Sequence, residues 1–242
     1  MLTKKQFDIM TLVKQEGMQP VQRVLAQKLG MSLGTVNKTM AELDERGFLK
    51  NGYITDKGME ALEPYQVQRA VILAAGFGSR LVPITLNTPK PLVRVKGKRI
   101  IDGLLDAFLS AGINEIYLVR GYLGEQFDQL LYKYPMIHFI DNPSYNESNN
   151  ISSAMCVREH MKNAYVCDAD LLLKNPHLIT QYQYQANYLG VPVEKTDDWC
   201  LKTNGRFVTQ VSIGGTNCYH MFGISYWNND DGERLFKDIE TV

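Results

Sequence analysis

Residues 69–75 read RAVILAA, and the chain passes directly from them into Gly76, Phe77, Gly78, Ser79 and Arg80. No other stretch restricts the fold as much. A continuous apolar run of this length is covered on both faces, as in the buried strands of parallel sheets. The glycine-rich turn after it allows backbone amides to come close to a phosphate, and Arg80 adds a charge-assisted contact. The same pattern also suits a plain tight turn between strand and helix. The next segment narrows the choice, because Lys90 stands between Pro89 and Pro91. Flanking prolines stiffen the backbone and oppose helix, so Lys90 is expected in an extended segment pointing back at the loop.

Strand and helix patterns then alternate. Ile101 to Gly112 is amphipathic with helical spacing, Glu115 to Arg120 reads as strand, Phe127 to Tyr132 as helix, Ile137 to Ile140 as strand, Ser152 to Glu159 as helix and Ala164 to Cys167 as strand. This alternation predicts an α/β domain with a mostly parallel mixed sheet and helices on both faces. Ligands collect at the carboxyl ends of such strands, where Asp168 and Asp170 come directly after the last one. A carboxylate facing a triphosphate suits Mg²⁺, a hard cation that prefers oxygen. One acid of the pair is expected to face the loop, and both are also consistent with a solvated turn.

LAAGFGSRL followed by TPKPLV resembles the nucleoside-triphosphate transferases that make nucleotide sugars and CDP-alcohols. The resemblance runs from about Arg69 to Glu240. It implies a Rossmann-like nucleotidyltransferase domain in which Leu73, Ala74, Ala75, Gly76 and Gly78 line the nucleotide. Arg80 would hold the triphosphate, Lys90 would meet the reacting phosphate, and Asp170 would bind Mg²⁺ with Asp168 as alternate. FGISYWNND matches the segment that carries the family's second metal ligand, which points to Asn228, with Asp230 and Asp231 as substitutes. A dinucleotide-binding domain fits less well, because GFGSR lacks the third glycine of its fingerprint and gives Lys90 no role.

GYLGEQFDQL, SNNISSAM, CDADL and GISYW, in that order, are similar to bacterial CTP:phosphocholine cytidylyltransferases. On that resemblance Asn149, Asn150 and Ser153 would meet the base. A quaternary ammonium donates no hydrogen bonds, so its site needs aromatic faces and negative charge. Trp199, Glu194 and Tyr226 are the acceptor-binding candidates, with Tyr219, Trp227, Asp197 and Asp198 nearby. The implied reaction is Mg²⁺-dependent transfer of a cytidylyl group from CTP to phosphocholine. The alternatives are a sugar-1-phosphate acceptor, or a DNA-binding regulator whose second domain senses a nucleotide. The resemblance also implies further structure past Val242, so the domain over 66–242 is expected to be cut short.

Residues 1–65 differ in character. Three helices fit: Gly30 closes the second, Ser32 caps the third, and Val36, Met40 and Leu43 give the third its inward face, before a hairpin at Asn51 and Gly52. This resembles the winged helix-turn-helix modules of bacterial transcription regulators, in which Ser32, Thr35, Asn37 and Lys38 would face DNA. Glu42, Asp44 and Glu45 on the same helix repel phosphate, and nine basic against eight acidic side chains leave this module one net positive charge. A structural or protein-docking role fits equally. The whole chain has zero formal net charge, which excludes a protein that coats nucleic acid. Four scattered cysteines and no signal sequence predict reduced thiols and a cytoplasmic location, and no apolar run spans a bilayer.

Overall fold

The computed structural model describes residues 1–17, 21–147 and 150–240. It divides into two compact units, one of residues 1–66 with Tyr182–Tyr184, the other of residues 67–181 and 185–242.

In the first unit, α1 (Lys4–Glu16), α2 (Gln22–Leu29) and α3 (Leu33–Glu45) precede a short hairpin, β1 (Leu49–Lys50) and β2 (Tyr53–Ile54), and α4 (Asp56–Leu62). Local chemistry sets the ends. Thr3 and Gln6 form a capping box on α1, Gly30 closes α2 in the left-handed region, and Ser32 accepts from the Thr35 amide at the start of α3. Asn51 and Gly52 both have positive φ, as a tight two-residue hairpin turn requires. Ile9, Met10, Leu25, Val36, Leu43 and Leu62 are fully buried, and Met40 packs against them. No local pattern in the sequence assigns the segment 182–184 to this unit; its Tyr184 ring stacks on Tyr65 and its hydroxyl donates to the Leu2 carbonyl.

The second unit carries β3 (Arg69–Leu73), the small pair β4 (Arg94–Val95) and β5 (Lys98–Arg99), α5 (Asp102–Ser110), β6 (Glu115–Arg120), β7 (Ile137–Asp141), α6 (Asn150–Val157), β8 (Ala164–Asp168), the long hairpin of β9 (Asn187–Asn204) and β10 (Phe207–Trp227), and α7 (Asn229–Glu240). The main sheet runs β7-β6-β3-β8-β10-β9. The first four strands are mutually parallel, while β10 is antiparallel to β8 and to β9. Alternation along β3 explains its all-apolar sequence. Ala70 and Ile72 pack with Leu104 and Phe108 of α5 on one face, and Val71 packs with Val157 of α6 and Ile239 of α7 on the other.

Two elements differ from their sequence pattern. Residues Gly124–Tyr132 form consecutive 3₁₀ turns instead of an α-helix, and Arg120 reaches into this stretch to bond the Gly124 carbonyl and Asp128. Lys90 opens a 3₁₀ turn, Lys90–Leu92, instead of lying extended. Pro91 has no N–H to lose there, and the Leu92 amide closes the turn on the Pro89 carbonyl at 2.9 Å.

Candidate functional site

The central strand β3 delivers its loop to the carboxyl end of the sheet, where Leu73 lies in register with Asp168 of β8. Ala74 and Ala75 are buried, so the loop starts from a fixed base, and Gly76 has open space around its Cα. Gly78 is left-handed, and a Cβ there would lie 3.0 Å from the Lys90 Cβ and 3.1 Å from the Thr85 Cγ2. The Thr85 hydroxyl donates to the Gly78 carbonyl at 2.9 Å. This close approach brings the stem of Lys90 onto the glycine-rich loop, and its ammonium pairs with the Asp170 carboxylate. Arg80 is exposed and makes no ion pair among the described residues.

Asp168 is the last residue of β8 and Asp170 lies in the turn after it, so the two-residue side-chain repeat of a strand does not carry over to Asp170. Both acids lie within reach of the Lys90 charge, Asp170 by direct pairing. Burial pushes the Asp168 carboxyl up to about 6, the Asp170 charge pushes it the same way, and Lys90 offsets part of this. Adjacent carboxylates that resist joint ionisation are relieved by a divalent cation, and Mg²⁺ commonly takes one or two protein carboxylates with phosphate and water completing its shell. The donor set therefore fits Mg²⁺.

Asn228 lies elsewhere. Trp227 pairs with Ala164 at the start of β8, so Asn228 sits beyond the far end of that strand, about 16 Å along it from Asp168. Its side-chain carbonyl accepts from the Asp231 amide at 2.8 Å and its amide donates to the Asp231 carboxylate, which makes it the cap of α7. The expected pairing of Asn228 with Asp170 at one metal is corrected on this ground, and Asp230 and Asp231 share the same helix start.

Of the base-contact candidates, Asn149 lies outside the described residues. Asn150 is exposed at the start of α6, and its amide is 3.4 Å from the Asp168 carboxylate. Ser153 is buried, and its hydroxyl accepts from Asn142 at 3.1 Å, so it belongs to the support of the site instead of its open surface. Asn142, itself 2% exposed, also donates to Ser152 and thereby fastens the first turn of α6 to the end of β7.

Tyr226 is a core residue, 1% exposed and edge-on to Tyr165, which removes it from the acceptor set. Trp199 is 51% exposed on the hairpin. Glu194 lines a shallow cavity of about 360 Å³ with Tyr219 and Asn217. In the first unit, the Ser32 hydroxyl is held in the cap of α3 and bonds the Thr35 hydroxyl, while Asn37 and Lys38 are exposed.

Several residues at the site carry no signal in the sequence. Phe77 stacks at a tilt against Tyr122 and Tyr145, with centroids 4.9 and 5.5 Å away, so three rings flank the loop. Gly121 makes room for them, since a Cβ there would lie 2.5 Å from that of Tyr145. Tyr188 of β9 stands beside Asp168; burial first, then the Asp168 charge, push its phenol up to about 12. Glycine alone, at a position where a side chain would collide, is a mark that sequence could have offered.

Residues 69–186 match the family model described as Nucleotidyl transferase. Among curated proteins, the chain is similar to 2-aminoethylphosphonate cytidylyltransferase from Lancefieldella rimae, 36% identical over 171 residues covering 69% of each protein. It is likewise similar to choline-phosphate cytidylyltransferase from Streptococcus pneumoniae, 36% identical over 175 residues covering 71% of this chain and 75% of that protein. The solved structure of CTP:phosphocholine cytidylyltransferase from Streptococcus pneumoniae matches with a TM-score of 0.67 at 35% identity, covering 72% of this chain and 76% of the other.

Proposed function

This chain belongs to the nucleotidyl transferase family, and on that premise we propose that it transfers a cytidylyl group from CTP to a small phosphate or phosphonate that carries an amine or quaternary ammonium group, with phosphocholine as the first choice of acceptor. One observation carries the reading: the glycine-rich loop, Lys90 and Asp170, distant in sequence, meet at the carboxyl end of the central strands.

An oxygen of the acceptor attacks the α-phosphorus of CTP in line with the bond to the β-phosphate. The new P–O bond forms as that bond breaks, and its electron pair leaves with pyrophosphate. Gly76 and Gly78 let the backbone approach the phosphates, and the exposed Arg80 guanidinium clamps them. Lys90 exchanges Asp170 for phosphate oxygen and offsets the charge of two anions approaching each other. Asp170 and Asp168 would hold Mg²⁺, which would supply further neutralisation of the triphosphate. The chain's own groups otherwise act by position, with no covalent intermediate. Trp199 and Glu194 are the hairpin residues suited to a cationic acceptor, through a ring face and a carboxylate.

The test is mass spectrometry of products from CTP and Mg²⁺ with phosphocholine, 2-aminoethylphosphonate or a hexose 1-phosphate, one at a time. A CDP-linked or CMP-linked product from either cationic acceptor supports the reading, and product from the hexose phosphate alone replaces the acceptor assignment.

For the first unit, the exposed Asn37 and Lys38 on α3 favour contact with DNA as a second reading. Titration of labelled duplex at low and moderate salt tests it, because phosphate contacts give a salt-dependent affinity. Equal absence of binding for native protein and Lys38→Ala removes this reading.

A further inference from the structure

We propose that Gly223 is a positioning residue for Asp168: its missing side chain reserves the space that the Asp168 carboxylate occupies. This rests on the cytidylyl-transfer reading for its consequence in catalysis, while the geometry stands by itself.

Between Met221 and Ser225, β10 slips against β9: Met221 pairs with Gly190 and Ser225 pairs with Tyr188, so β10 has extra residues over this interval. Such a bulge bends a strand and re-aims its side chains. Across the other edge the register with β8 is kept, since Ile224 pairs with Cys167. Gly223 is therefore one step further on, level with Asp168. Its φ is +78°, a conformation that side chains disfavour. A Cβ at Gly223 would lie 2.3 Å from the Asp168 Oδ2, 3.1 Å from its Cγ and 3.3 Å from its Cβ. Three atoms of one short side chain are blocked together, so relief requires Asp168 to turn away from its place beside Asp170 and Asn150. The bulge thus acts on Asp168 from β10 itself.

The experiment compares native protein with Gly223→Ala, Gly205→Ala, Asp168→Ala and the double variant Gly223→Ala/Asp168→Ala. Gly205 has φ of +59° with nothing within 4 Å of an added Cβ, so it reproduces backbone strain in the same hairpin without the collision. Mn²⁺ binding in the presence of CTP, measured by the electron paramagnetic resonance of free Mn²⁺, is read together with Tm and kcat. Gly223→Ala is expected to weaken Mn²⁺ binding by about tenfold or more, as loss of a ligand-orienting contact does. Gly205→Ala is expected to leave it unchanged, and adding Gly223→Ala to Asp168→Ala is expected to weaken it no further.

Native-like Mn²⁺ binding in folded Gly223→Ala, or an equal additional loss in the Asp168→Ala background, overturns the proposal. Should Gly223→Ala fail to fold, the double variant is expected to regain the fold, and its failure to do so also overturns the proposal. Native protein that makes no cytidylyl product and binds no Mn²⁺ with CTP refutes the functional reading alone. The non-additivity of Tm between Gly223→Ala and Asp168→Ala then decides the positioning role.

Discussion

Replacing Lys90 with methionine keeps an unbranched side chain one atom shorter and removes its charge, so it separates most of the electrostatic work of this residue from its packing. Lys90 and Asp170 side chains are 31% and 33% exposed, between the limits of a surface pair and a buried one. Fully exposed pairs contribute about 0–1 kcal/mol, and desolvation cancels much of the stronger attraction of buried ones, so about 1 kcal/mol is the expected loss of stability. In a unit of this size that lowers Tm by about 2–4 °C. The effect on turnover is larger. A preorganised donor facing developing charge contributes about 3–4 kcal/mol to the barrier, which corresponds to about 10²–10³ in kcat. Asp168 also loses the offset that Lys90 gives it, so its carboxyl moves further up. Pyrophosphate release from CTP and acceptor at saturating Mg²⁺ gives kcat, and differential scanning fluorimetry gives Tm. A variant whose kcat stays within about threefold of native refutes the argument, since that is under 1 kcal/mol of barrier.

Asp168 makes the metal-free protein sensitive to pH. Its folded value is about 6 against an ordinary 3.8, so in that interval the folded state holds a proton that the unfolded state releases. Its contribution favours folding below the lower value and is lost as pH rises through about 6. In EDTA, the Tm of native protein relative to Asp168→Asn is expected to fall from about pH 5 to about pH 7.5, and a constant difference would show that the carboxyl is not held up. Asn228→Ala removes a helix cap, which costs about 1 kcal/mol, and leaves kcat near native; a large fall in kcat without loss of Tm would return Asn228 to the metal site. Asn142→Ala strips hydrogen bonds from buried Ser153 and is expected to lower Tm by about 2–6 °C, read by thermal melt.

Much of the second unit was legible because its signals are local. The apolar run of β3 specifies a strand covered on both faces, and Gly76, Gly78 and the Lys90 prolines mark a rigid loop without any tertiary information. Pairing was less accessible. Asn228 reads as a ligand from its motif, yet register places it at the opposite end of β8 from Asp168, and one-dimensional spacing carries no register across an antiparallel crossover. Tyr226 and Ser153 have the chemistry of binding residues, but which face of a strand or helix they occupy consigns both to the interior. The hairpin of β9 and β10 hides its length because glycines and polar residues interrupt its alternation, and with it hides Tyr188 and the bulge at Gly223. Membership of 182–184 in the first unit depends on contacts far apart in sequence, which composition does not encode.

The central claim is that this site moves a nucleotidyl group and selects cytidine. Pyrophosphate release measured with Mg²⁺ and phosphocholine across CTP, UTP, GTP, ATP and dTTP tests it most directly. Release with CTP well above the other four, abolished by Asp170→Ala, is the predicted result, whereas equal release with every nucleotide, or none with CTP while another supports turnover, would contradict it.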